Sequence, residues 1–136
     1  MSKLVSLSEA ASIAIHGTIL IARALNPISV TQIAEMTGTS KHHVAKVMQR
    51  LAKDGYISSQ RGPSGGFTLN KPADEISFLN LYEAIEGKLE IPECPMDKKV
   101  CPFEKCIMDN VMNRMTNEFK EYLNLQLISD YIRRIS

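Results

Sequence analysis

Ser29-Val-Thr-Gln-Ile-Ala-Glu-Met-Thr-Gly38-Thr-Ser40-Lys-His-His-Val-Ala-Lys-Val-Met-Gln-Arg50-Leu-Ala-Lys-Asp-Gly55-Tyr-Ile-Ser-Ser-Gln-Arg61-Gly-Pro-Ser-Gly-Gly66-Phe67 is the stretch that decides the fold. Ser29 and Gln32 form a capping-box pattern, which predicts a short helix from Val30 to Met36, ended by Thr37-Gly38. Ser40 caps the next helix, Lys41 to Asp54, and Gly55 supplies its left-handed stop. Val44, Val47, Met48 and Leu51 recur at helical spacing and predict a buried face. Lys41, His42, His43, Ala45, Lys46, Gln49 and Arg50 fall on the opposite face. Two short helices about a Gly-containing turn, the second basic outside, make a helix-turn-helix pattern. Small helical bundles share that pattern, so the next residues matter. Tyr56-Ile-Ser-Ser and Phe67-Thr-Leu flank a Gly/Pro-rich turn and predict a β-hairpin. A hairpin placed there is a wing. Arg61 stands at its tip beside Gly62 and Ser64, where an arginine suits a narrow, electronegative minor groove.

Working outward, Ser6-Leu-Ser-Glu9 predicts a capping box opening an apolar helix through Ala24, stopped before Asn26-Pro27. A helix this apolar belongs deep in the domain or in a subunit interface. Ser77 caps a further helix with Phe78, Leu81, Tyr82 and Ile85 on one face and Gly87 at its stop. Pro102 suits the first position of a long helix. Met108, Met112, Met115, Phe119 and Tyr122 then follow heptad spacing, a seam for the same helix of a second chain or for the chain's own core. Ser129-Asp-Tyr-Ile-Arg-Arg predicts a short terminal helix. The expected fold is mainly α with a small β wing: a winged helix-turn-helix plus a long C-terminal dimerisation helix. Residues 1–87 form the DNA-binding domain, 88–106 a cysteine-bearing loop, and 102–136 the dimerisation helix and C-terminal segment.

The formal net charge of +1 over 136 residues conceals an asymmetry. Residues 1–72 carry eight Lys/Arg against three acids, and residues 73–121 carry six against eleven, so these two stretches stand at +5 and −5. A basic front and an acidic back fit a nucleic-acid face and a separate regulatory or dimer face. With no run of eighteen apolar residues and a short polar start, the chain is expected to be cytoplasmic, with no membrane partner.

All three cysteines lie within Cys94-Pro-Met-Asp-Lys-Lys-Val-Cys101-Pro-Phe-Glu-Lys-Cys106. An odd number argues against a disulfide framework, and a short loop converges thiolates on a soft metal at low entropic cost. Iron–sulfur chemistry suits them. Zinc motifs usually bring Cys-x-x-Cys pairs, absent here, but a zinc- or thiol-based regulator remains the alternative. Nor does a phosphate loop or nucleophile–base pattern accompany them, so no enzyme is expected.

Lys53-Asp-Gly55-Tyr-Ile-Ser-Ser-Gln-Arg61-Gly-Pro-Ser-Gly-Gly66-Phe, three close cysteines and a long helix together resemble the IscR/NsrR family of winged-helix regulators, over nearly the whole chain. The resemblance implies a homodimer on double-stranded, pseudo-palindromic operator DNA. It implies a 2Fe–2S or 4Fe–4S cluster on Cys94, Cys101 and Cys106, sensing nitric oxide, redox state or cluster supply. Members resembling IscR place a histidine three residues after the last cysteine, where this chain has Asp109. Members resembling NsrR take an aspartate near the partner chain's N-terminus, a position that aligns with Glu9. Glu9 and Asp109 are therefore candidate fourth ligands, with water, a small thiol or another residue as the further alternatives. The DNA-contacting set is Lys41, His42, His43, Lys46, Arg50, Arg61, Gly62 and Ser64, with Ala45 where the family's cluster-assembly regulator reads a base through glutamate.

Overall fold

The computed structural model describes residues 7–90 and 107–132. Its elements run α1 (Glu9–Arg23), α2 (Val30–Thr37), α3 (Lys41–Lys53), β1 (Ile57–Gln60), β2 (Gly66–Leu69), α4 (Phe78–Glu86) and α5 (Val111–Leu125). Two 3-10 turns, Ala73–Glu75 and Ile128–Tyr131, complete them.

Helix α1 packs against α2, α3 and α4 and is buried on several sides, as its apolar sequence requires. Ile13, Ile33, Met48, Leu51, Ile57, Ile76 and Leu81 form the sealed centre. Each such side chain contributes about 1.5–3 kcal/mol relative to exposure. Gly17 permits the tight contact of α1 with α3, since a Cβ there would lie 2.8 Å from Met48 Cε.

Caps set the element ends. Ser29 and Gln32 make the predicted reciprocal capping box of α2, and Gly38 ends it at φ 68°. Ser40 Oγ accepts from His43 N–H at 3.1 Å and starts α3. At α1 the cap is Ser8, accepting from Ala11 N–H at 3.0 Å, so Glu9 is the first helical residue and not the third. The expected cap at Ser6 lies outside the described residues.

Strands β1 and β2 pair antiparallel, from Ile57 opposite Leu69 to Gln60 opposite Gly66. The hairpin is also tied to the body. Ile28 N–H donates to Phe67 O at 3.2 Å, and Phe67 N–H donates to Ile28 O at 2.7 Å. A Cβ on Gly66 would sit 2.6 Å from the Ile28 carbonyl, so this approach needs glycine.

Helix α5 begins at Val111, after turns at 107–110 in which Asp109 and Asn110 have φ of 51° and 55°. Met108 therefore precedes the helix, and the expected start at Pro102 lies outside the described residues. Part of the predicted heptad seam serves this chain's own core. Phe119 meets Tyr82 edge-on at 5.7 Å, and Leu123, outside that seam, is buried. After α5 the chain returns to α4: Phe78 N–H donates to Gln126 O and Ile128 N–H to Ile76 O, both at 2.9 Å. In place of the first residues of the predicted terminal helix stands a 3-10 turn, Ile128–Tyr131, which buries Ile128 and stacks Tyr131 on Phe78 at 5.1 Å; Arg133 and Arg134 lie outside the described residues.

Candidate nucleic-acid interface

The apolar stripe of α3 is spent on the core: Val44, Val47, Met48 and Leu51 are all buried. Its polar face must then point outward, and Lys41, His42, Lys46, Gln49 and Arg50 are exposed. Ala45 lies among them, half-buried. The wing tip, Arg61 to Ser64, is exposed throughout. Gly62 turns the chain at φ 107°, and Gly65 N–H donates to Gly62 O at 2.9 Å. A Cβ at Gly65 would fall 2.3 Å from Gln60 O, so the tip is a turn that only glycine completes. Of the predicted DNA-facing set, Lys41, His42, Lys46, Arg61, Gly62 and Ser64 lie exposed in two groups, one on a helix and one on a hairpin stitched to the same body.

His43 and Arg50 are engaged inside the chain. His43 Nδ1–H donates to Glu9 Oε1 at 2.9 Å. Arg50 Nε–H donates to Ala84 O at 3.1 Å, and Asp54 Oδ2 stands 3.5 Å from the same nitrogen. Ser8 Oγ–H donates to the Glu86 carboxylate. Apart from Arg50–Asp54, one helical turn apart, these contacts join residues 34 to 78 positions apart, so spacing along the chain carried no sign of them. At the root of the wing, Lys71 Nζ sits 4.6 Å from the centre of the Tyr56 ring. Burial, then Asp54 and Glu83, pushes the Tyr56 phenol above its ordinary range, which keeps it neutral.

The three candidate thiol ligands, Cys94, Cys101 and Cys106, lie outside the described residues. Both candidate oxygen ligands are described. Glu9 is exposed at the start of α1, with His43 as its partner. Asp109 is exposed in the turn before α5, with Arg114 Nη1 at 3.6 Å. Among the described residues no three His, Cys, Asp or Glu side chains gather as a metal site. His16 is held on its own helix, its Nδ1–H donating to Ser12 O at 2.7 Å. It lines a cleft of about 400 Å³ along α1 with Glu9, Leu20, Arg23 and Met36. No helix among the described residues is long and apolar enough to cross a membrane.

Comparison with known proteins gives a consistent answer. The chain is 26% identical over 98 residues to the HTH-type transcriptional regulator IscR of Pectobacterium atrosepticum, covering 72% of this chain and 60% of that protein. The regulator of the same name from Erwinia tasmaniensis matches at 26% over 98 residues, covering 72% and 59%. The chain thus spans about 60% of the length of the curated relatives it matches. Among solved structures, CymR of B. subtilis, the global cysteine regulator, shares the fold at TM-score 0.77 and 22% identity, covering 95% of this chain and 97% of that one. The oxidized form of Staphylococcus aureus CymR follows at 0.76 and 22%, covering 97% and 99%. IscR of T. potens follows at 0.74 and 21%, covering 93% and 85%. The curated relatives are named as transcriptional regulators, not enzymes. The Rrf2 family model, described as an iron-dependent transcriptional regulator, matches residues 7–134, and the chain belongs to that family.

Proposed function

We propose that the chain is a cytoplasmic, homodimeric transcription regulator that binds operator DNA under the control of an iron–sulfur cluster. One observation carries the DNA reading. The exposed cations of α3 and an arginine-tipped wing are mounted on one rigid frame, because the wing is hydrogen-bonded to Ile28 in the α1–α2 connection. Lys41, His42 and Lys46 suit the major groove and its phosphates, and Arg61 with Gly62 and Ser64 suits the adjoining minor groove. The homodimer reading is supported by the apolar surface that α5 leaves uncovered, including Tyr122 and Leu125.

Cys94, Cys101 and Cys106 would hold the cluster, with Glu9 from the partner chain or Asp109 as the fourth donor. The donor chemistry fits: three soft sulfurs and one harder, more labile oxygen, drawn from two solvent-facing carboxylates. When bound, the cluster supplies a centre that reacts with nitric oxide or oxidants. Glu9 is also one hydrogen bond from α3. A Glu9 carboxylate engaged elsewhere releases His43 toward DNA, which gives cluster state a route to operator affinity.

Anaerobic purification with iron and acid-labile sulfide counts tests the cluster. Cys101→Ala should abolish the visible absorption, and persistence of colour and iron would remove Cys101 from the ligand set. Arg61→Ala should weaken binding to a duplex selected from random-sequence DNA by about 1–3 kcal/mol. Unchanged fluorescence anisotropy titrations would take Arg61 out of the interface. The fold shared with CymR, one of whose structures is an oxidized form, favours a second reading: a thiol- or zinc-based regulator on the same module. Zinc, or no metal, without acid-labile sulfide would select it.

A further inference from the structure

Arg50 lies on the outer side of the recognition helix, yet its contacts lead inward. Helix α4 ends at Glu86, and the last carbonyls of a helix lack partners within it. Arg50 Nε–H reaches across from α3 to one of them, Ala84 O, at 3.1 Å. A guanidinium there also stands at the negative end of the α4 dipole. On the other side Asp54 Oδ2, at 3.5 Å, offsets its charge. An arginine so compensated presents a weak field to a phosphate. It also lines a groove of about 310 Å³ with Ala10, His43, Lys46, Val47 and Ile85, where α1, α3 and α4 converge. Two further bonds close this junction, Ser8 to Glu86 and His43 to Glu9.

We infer that Arg50 is a positioning residue: it caps the end of α4, fixes the recognition helix against it, and makes no phosphate contact. Sequence continuity gives the inference a regulatory side. The described chain continues from Gly87 to Glu90, and Cys94 follows four residues later, so the sulfur-bearing segment departs from the helix end that Arg50 caps. Displacement of that end is passed to α3 through Arg50. This regulatory part rests on the iron–sulfur reading; the positioning part does not.

Arg50→Gln, Arg50→Lys and Lys46→Gln are compared with the parent chain in anisotropy titrations on one selected duplex, across a range of salt. Lys46→Gln should reduce the slope of log K against log salt by about 0.9, the loss of one phosphate contact. Arg50→Gln should keep the parental slope while lowering affinity several-fold. Arg50→Lys should not rescue it, since an ammonium keeps the charge but lacks the planar Nε–H geometry. A slope reduced by about 0.9 in Arg50→Gln, or full rescue by lysine, would overturn the positioning role. Amide hydrogen exchange on the DNA-free protein gives a second readout. Gly87 and Leu89, whose N–H groups bond to Glu83, should exchange about fivefold faster in Arg50→Gln, with Val47 and Leu51 unaltered. Unchanged exchange at Gly87 and Leu89 would refute the cap whatever the DNA result. For the regulatory part, the ratio of affinities with and without the cluster should shrink in Arg50→Gln, and an unaltered ratio would refute it. If the parent itself binds equally in both states, the cluster reading fails, and the slope and exchange measurements still decide Arg50.

Discussion

Helices α3 and α5 are both amphipathic, at 13 and 15 residues, and their apolar faces are used differently. In α3 the whole stripe is buried within its own chain, leaving nothing apolar to cover and the polar face free for a partner. In α5 only Leu123 is buried, Phe119 leans on Tyr82, and Tyr122 and Leu125 remain 55% and 74% exposed. A helix whose stripe is complete inside one chain is a platform. A helix that buries one edge and leaves another uncovered is a joint. The contrast assigns α3 to presentation and α5 to self-association, on the reading proposed above.

The comparison can be broken most sharply at the buried end. Leu51→Ala should cost about 2–5 kcal/mol in urea unfolding, since Leu51 is fully enclosed. A cost below about 1 kcal/mol would mean that α3 is not anchored by its stripe. Leu123→Ala removes the one buried side chain of α5 and should cost about 2 kcal/mol or slightly more, at the lower edge of that range. Equal losses from both substitutions would erase the distinction between the helices. Tyr122→Glu combined with Leu125→Glu should weaken self-association about tenfold, or about 1.4 kcal/mol, in sedimentation measurements. Retention of full dimer affinity would move the interface off this face. Leu125→Ala should change the unfolding midpoint least, by an amount equivalent to about 0.5 kcal/mol or less at dilute protein. A larger loss would show that α5 is covered within the chain.

Much of the stretch from α2 to α4 was legible. The caps at Ser29, Ser40 and Ser77, the stops at Gly38, Gly55 and Gly87, and the stripe of α3 stand where local rules placed them. Each depends on residues three or four positions apart, which is the range over which one helix turn acts. The C-terminal region was less legible. A heptad pattern names an apolar seam but not its partner, and Phe119 turned out to face Tyr82. For the residues expected to face DNA, side-chain type marked the exposed face of α3 but did not show that His43 and Arg50 are drawn inward.

Periodicity, capping residues and turn glycines were enough to specify a winged helix-turn-helix, because those forces act within a few residues and are written in order along the chain. The pairing of Glu9 with His43 and of Arg50 with Ala84 was decided only by the packing of α1, α3 and α4. Side chains 34 positions apart meet only after the core has set the angles between those helices. No local rule encodes that distance.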